Sequence, residues 1–236
     1  MTMSDFRYVG RELETFAAAT TWKAYLAEQI RPFLGADVLE VGAGLGSITR
    51  AFCTNAQRSW TALEPDPTSA ARAQELLTTL TPGTRFDVRT ETTAQLHADQ
   101  RFDSVLYIDV LEHIEHDADE LVAARRHLRA GGHLVVLSPA HQWLFTPFDR
   151  AIGHFRRYSA STLQAIVPPG LNIVRLRYLD CVGMCASLGN KSLLRQDMPT
   201  TRQIEIWDQV MVPLSRTLDR WLQFRVGKSI LGVWQA

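Results

Sequence analysis

The chain is 236 residues long and 46% hydrophobic, which suits one α/β domain with an elaboration and is too apolar for a disordered chain. Lys plus Arg and Asp plus Glu each total 25, so no net field draws the protein to nucleic acid or to a membrane surface. No apolar run approaches the roughly 18 residues of a membrane span, the first residues lack the pattern of an export signal, and an odd set of cysteines (Cys53, Cys181, Cys185) fits a reducing cytoplasm better than a disulfide framework.

Residues 11–34 carry Leu13, Phe16, Ala17, Trp22, Tyr25 and Ile30 near helical spacing, until Pro32 and Gly35 break the pattern, and this predicts a helix. A buried parallel strand is expected at 37–41, a helix at about 46–55, a second strand at 59–63 and a helix at 67–80 opened by Pro67. A weaker strand at 85–90 precedes a strong one at 102–108 and a helix at about 118–128. Gly131 and Gly132 are read as ending that helix before a fifth strand at 133–138. Strands alternating with helices in this way predict a doubly wound, Rossmann-like parallel sheet. Sixth and seventh strands are expected at 172–180 and 229–234. More than forty residues lie between them, far beyond a hairpin's need, and they read as a helical insertion that covers substrate or contacts another subunit.

The run Glu40-Val-Gly42-Ala-Gly44-Leu-Gly46 closes the first strand and opens a helix. Glycines there let the backbone turn tightly and approach a ligand that a Cβ would exclude. A dinucleotide fingerprint wants its third glycine one position later, where Ser47 stands. Glu40 would repel a diphosphate and would pair with the ammonium of the methionine part of S-adenosylmethionine (SAM). Glu64, about twenty residues on, is placed to accept hydrogen bonds from ribose hydroxyls.

Three runs together resemble the successive motifs of class I SAM-dependent methyltransferases: Val38-Leu-Glu-Val-Gly-Ala-Gly-Leu-Gly46, Leu63-Glu-Pro-Asp66 and Phe102-Asp-Ser-Val-Leu-Tyr-Ile-Asp-Val-Leu-Glu-His-Ile114. The segment Gly153-His-Phe-Arg-Arg-Tyr158 is similar to one in a bacterial group of these enzymes. The resemblance implies a seven-stranded sheet with strand seven antiparallel between five and six. It also implies SAM as cofactor, with S-adenosylhomocysteine (SAH) as product. The cofactor would be held by Glu40, Gly42, Ala43, Gly44, Gly46, Glu64 and Pro65, with Asp109 and Val110 near its adenosine or sulfonium. Many relatives place Gly-Asp after the third strand. Here Glu91-Thr92-Thr93 stands instead, and Thr92 is the expected substitute.

Ligands of open α/β sheets gather at the carboxyl ends of the strands, so acceptor residues are expected after strands four and five. Asp109, Glu112 and His113 have the spacing that aligns side chains on one face of a helical turn. Two carboxylates and an imidazole are also a donor set for a divalent cation. The expectation is nonetheless a site without metal, in which Asp109, His113 and His154 act on the acceptor. His141, Arg156, Arg157 and Tyr158 are expected to bind substrate, the arginines by gripping an acidic group. Tyr8, Phe16, Trp22 and Tyr25 precede the first strand, where the resemblance implies a lid, and Trp22 joins the substrate-binding set.

The chain is thus divided into a lid (1–34), a cofactor domain (35–180), an insertion (181–226) and a closing strand (227–236). It is expected to methylate an oxygen or nitrogen of a small molecule in the cytoplasm, without nucleic acid or membrane insertion and with homodimerisation open. A metal-assisted O-methyltransferase and a SAM-binding, non-catalytic subunit are the alternatives.

Overall fold

The computed structural model describes residues 16–80, 83–189 and 200–236. Its sheet has seven strands: β1 (Asp37–Val41), β2 (Ser59–Leu63), β3 (Arg85–Arg89), β4 (Phe102–Ile108), β5 (Leu128–Pro139), β6 (Asn172–Leu179) and β7 (Ser229–Gln235). Their order is β3-β2-β1-β4-β5-β7-β6. The first five are parallel, and β7 lies antiparallel between β5 and β6. This is the Rossmann-like architecture expected, and the class follows from the pattern of short, doubly buried strands between helices.

Alternation along each strand builds two cores. Val38, Leu106 and Val135 face one side of the sheet with Trp60, Tyr25 and Trp207. Leu39, Tyr107 and Leu134 face the other side with Leu121, Tyr158 and Leu163. The first core lies under the helix Thr20–Ile30, and the second under the helices Asp117–Arg126 and Ala160–Ala165. Between β1 and β4 the chain order reverses. Loops leaving these strands therefore diverge and open a crevice at their carboxyl ends.

The pair Gly131-Gly132 does not end a helix. The helix stops at Arg126, and β5 starts at Leu128 and runs through both glycines. Gly131 has φ +78°, and the pairing with β4 slips there, Phe102 opposing Leu128 and Ser104 opposing His133. The glycines therefore make a bulge, which the sequence signal for a helix end cannot distinguish from a cap. The first predicted helix is interrupted: residues 16–17 are helical, the helix breaks at 18–19, and Thr20–Ile30 is followed by a 3₁₀ turn at Arg31–Phe33 containing Pro32. Tyr8 and Leu13 lie outside the described residues.

The insertion holds the helices Cys181–Gly189 and Thr201–Ile206, a π-helical segment Trp207–Met211 and the helix Val212–Trp221. Buried acids clasp it to the N-terminal helix. The Asp208 carboxylate accepts from the amides of Thr21 (3.1 Å) and Trp22 (2.8 Å), and Asp219 accepts from Tyr25 Oη at 2.8 Å. Asp208 thereby satisfies helix-start donors that no residue of that helix caps. The N-terminal helix and the insertion thus pack together beside the crevice.

Candidate active site

The loop after β1 is built from left-handed glycines. Gly42, Gly44 and Gly46 have φ of +71°, +54° and +76°. The amides of Gly42 and Ala43 both donate to the Leu63 carbonyl, at 2.8 and 3.0 Å, tying the loop to β2. A Cβ on Gly42 would stand 2.5 Å from Val110 Cγ2, so the loop after β4 rests directly on it. Gly46 packs instead against Ala73 and starts the helix Ser47–Phe52. It holds the loop in place and does not face the crevice.

Glu64 ends this side of the site. One carboxylate oxygen accepts from the Gly44 amide at 2.7 Å and the other from the Asp66 amide at 3.0 Å. Burial pushes its carboxyl up, and those two bonds pull it back. Each oxygen keeps a second lone pair. Asp66 caps the next helix through Ser69 N at 2.7 Å.

Glu40 is placed otherwise than its charge suggests. It is 1% exposed, lies outside the crevice lining, and its Oε2 accepts from Thr49 Oγ1 at 2.5 Å and Trp60 Nε1 at 2.8 Å. Burial raises its carboxyl to about 7, against the pull of those two donors. The side chain points inward because alternation from Val38 sends it to the core face, not toward a ligand's ammonium.

A cavity of about 1200 Å³ opens at the crevice. Gly42, Ala43, Gly44, Glu64, Pro65, Thr92, Asp109 and Val110 line one end, all of them sequence-predicted. His113, His154, Arg157 and Trp22 line the other, together with Trp207, Met211, Asp149 and Lys228, which sequence reasoning missed. No local pattern marks those four, because they come from separate segments folded together. Trp22 and Trp207 pack with their rings tilted at 52° and 5.6 Å between centroids, joining the N-terminal helix to the insertion at the cavity wall.

The predicted i, i+3, i+4 face is not formed. Asp109 sits in the left-handed region, φ +54°, and only Leu111–His113 form a turn, a 3₁₀ one. Asp109 opens into the cavity, while burial raises its carboxyl to about 6 against the charges of His154 and Lys228. Glu112 is fully buried, and among the described residues neither of its carboxylate oxygens has a hydrogen-bond partner. Its carboxyl is pushed far above the usual range by burial and then by Asp109. His113 is lowered to about 4 by burial and by His154, with the Gly153 main chain opposing.

His154 arrives from the loop after β5. Its ring meets that of His113 edge-on, 4.5 Å between centroids, and its Nδ1 lies 3.0 Å from Asp149 Oδ1. Asp149 also receives a two-pronged bond from Arg157, 2.8 Å on each oxygen. Burial alone would raise the Asp149 carboxyl, yet His154 and Arg157 hold it well below the usual range. Asp149 therefore stays ionised and accepts the Nδ1–H of His154. Glu112, His113 and His154 each offer an atom within 4.8 Å of the others, a potential metal-ligating group.

Three predicted substrate residues lie elsewhere. His141 stacks on Tyr178 at 4.8 Å and its Nε2 faces the Gly227 carbonyl at 3.1 Å. Arg156 pairs with Asp117 at 2.5 Å and donates to the Glu115 carbonyl at 2.8 Å. Tyr158 is 2% exposed and donates to Asp117 Oδ2 at 2.7 Å. All three hold the loop after β5 against the fold, none lines the cavity, and their residue types alone could not separate the two roles.

Residues 39–134 match a family described as a methyltransferase domain, a stretch that runs from β1 into β5. No curated protein matches the chain. Among solved structures, a SAM-dependent methyltransferase from Mesorhizobium loti is 16% identical, with a TM-score of 0.60 and 93% of this chain and 99% of that one covered. The N-methyltransferase NodS from Bradyrhizobium japonicum, solved with SAH, is 14% identical, with a TM-score of 0.58 over 97% of this chain and 98% of that one. A chain solved in complex with the Trm112 methyltransferase activator of Haloferax volcanii is 18% identical, with a TM-score of 0.64 over 96% and 93%. At these identities the likeness is one of fold. Among the described residues, no helix is long and apolar enough to cross a membrane.

Proposed function

We propose that the protein is a SAM-dependent methyltransferase acting on an oxygen or nitrogen of a small molecule. The observation that carries this reading is one continuous cavity joining a glycine cradle and Glu64 to a histidine–carboxylate end. Its size, about 1200 Å³, exceeds the roughly 300–1,000 Å³ of a single-ligand site, which leaves room for cofactor and acceptor together.

The residues present fit the cofactor. A Cβ at Gly42 has no room, so the turn brings bare backbone to the cavity wall, and Glu64 keeps lone pairs for ribose hydroxyls. Ala43, Gly44, Pro65 and Thr92 would line the same end, and Asp109 and Val110 would stand where it meets the acceptor. When bound, the cofactor supplies an electrophilic methyl group on a sulfonium.

The protein's own work is to align the acceptor and, where it is protonated, to draw off its proton. His113 remains neutral above about pH 4 and so can accept a hydrogen bond at working pH. Asp149 orients His154 with Nε2 toward the site. Trp22, Trp207 and Met211 give the acceptor end an apolar wall. The neutral charge balance supports a small acceptor over a nucleic acid.

Calorimetry tests the reading directly. SAH is expected to bind and to raise the melting temperature by mass action, and a metabolite screen with SAM should show one product heavier by one methyl group. Binding of NADH with no binding of SAH would overturn it.

A further inference from the structure

We infer that Glu112, His113 and His154 form a site for one divalent transition-metal ion at the acceptor end of the cavity. The inference rests on the methyltransferase reading for its role and on geometry for the site itself. Glu112 is fully buried and both its oxygens lack a hydrogen-bond partner among the described residues, a costly state for a carboxyl group. The Ser138 hydroxyl on β5 faces this carboxylate and pulls its carboxyl down somewhat, but in a geometry short of a full hydrogen bond. Native folds rarely leave such an atom pair orphaned, and a cation is a partner that a carboxylate in this place would accept.

The histidines supply what the carboxylate needs. His154 Nε2 is 3.9 Å from Glu112 Oε1, too far for a hydrogen bond and suitable for a shared ion. Donors on one ion with bonds of about 2.1 Å stand about 3.4 Å apart. The three donor atoms already lie within 4.8 Å of one another, so small side-chain rotations complete the set. Asp149 takes the Nδ1 proton of His154, which leaves the Nε2 lone pair facing Glu112. An acid behind a histidine in this manner fixes the ligating tautomer and raises its basicity. Arg157 holds that acid from its far side.

Two imidazoles and one carboxylate favour zinc, iron or cobalt over magnesium or calcium, which prefer all-oxygen shells. Three protein donors leave coordination positions open toward the cavity. These positions would take an oxygen of the acceptor, a hydroxyl or a carboxylate, and so orient oxygen-bearing acceptors over simple amines. With both imidazole lone pairs on the ion, easing the loss of the acceptor's proton would fall to the metal in place of His113 and His154. Asp109, with its left-handed backbone, is not within the donor cluster, so the set differs from the one its sequence spacing suggests.

The test uses the full chain stripped with EDTA. Zn²⁺ alone is expected to bind at one equivalent and to raise the melting temperature, with Mg²⁺ much weaker. Glu112→Gln and His154→Gln should each weaken Zn²⁺ binding at least roughly tenfold, as loss of a ligand does. Because a buried substitution can impair folding, the unsubstituted protein provides a second measurement. With ¹⁵N-labelled histidine, Zn²⁺ should shift the ring resonances of two of the seven histidines. SAH binding is measured in the same stripped protein. SAH bound without Zn²⁺ binding overturns the metal site and leaves the methyltransferase reading intact, while Zn²⁺ bound without SAH does the reverse. Zn²⁺ binding unchanged in both variants, or histidine spectra unmoved by the ion, would also overturn the site.

Discussion

The two ends of the cavity are made of different material. The glycine end is backbone: left-handed turns at Gly42 and Gly44, an amide from Gly44 to Glu64, and two loop amides to the Leu63 carbonyl. Its residues lie between 41 and 66 on adjacent parallel strands, with Thr92, Asp109 and Val110 from the next ones. The acceptor end is side chain: Trp22, His113, His154, Arg157, Trp207 and Lys228 come from five separate stretches. A backbone cradle demands a few glycines at fixed spacing and tolerates little change. A side-chain pocket demands only that folding bring its members together, so each can vary alone. Substitutions at the two ends should therefore separate cofactor binding from turnover.

The largest effect belongs to the cradle. Gly44→Asp places a carboxylate beside Glu64 at a residue with φ +54°, and SAH binding should fall below detection in calorimetry. Retained binding would break the comparison at its root. His154→Ala comes next. SAH affinity should stay within about twofold while turnover falls roughly 10²–10⁴-fold, the range for loss of a catalytic proton carrier and one that loss of an ion would also reach. Isothermal binding paired with steady-state kinetics checks both halves, and equal losses in the two would show that the ends are not independent.

A pH experiment sharpens the contrast at Glu40, which belongs to neither end. Its folded carboxyl is raised from 4.5 to about 7, so the fold favours the neutral form. That contribution is fully present below about pH 4.5 and is lost as pH rises through about 7. The loss is on the order of 3 kcal/mol. Glu40→Gln should therefore flatten the fall in stability between pH 4.5 and 8 in denaturant titrations, and SAH affinity should change little. If Glu40 instead meets the cofactor's ammonium, the same variant will weaken SAH at neutral pH. The smallest effect is expected at Arg156. Its partners are Asp117 and the Glu115 carbonyl, outside the cavity. Arg156→Ala should leave the acceptor KM unchanged and cost about 1 kcal/mol or less of stability. A raised KM would return it to the acceptor site.

Most of the fold was legible because its signals are local. The strands β1, β2 and β4 were bounded to the residue, since each is a short, mostly apolar run that ends at a turn. Gly131-Gly132 misled because the same dipeptide serves a helix end and a bulge, and only the partner strand selects between them. The insertion's helical content was readable from its spacing, whereas its clasp through Asp208 and Asp219 was not, since an acid's burial is invisible in sequence.

By itself the sequence determined the glycine end of the cavity, apart from Glu40 and Gly46, which the fold turns away from it; there each requirement is met by neighbours along the chain. Glycines free a left-handed turn, a strand end delivers Glu64, and strand order follows from alternating elements. Only the tertiary structure decided the acceptor end. It set His154 against His113, removed His141, Arg156 and Tyr158 to the scaffold, and buried Glu112 with no hydrogen-bond partner for its oxygens among the described residues. The physical reason is that a side chain's chemistry depends on its surroundings, and those surroundings come from segments a hundred residues apart whose contacts exist only once the sheet and its cover have packed.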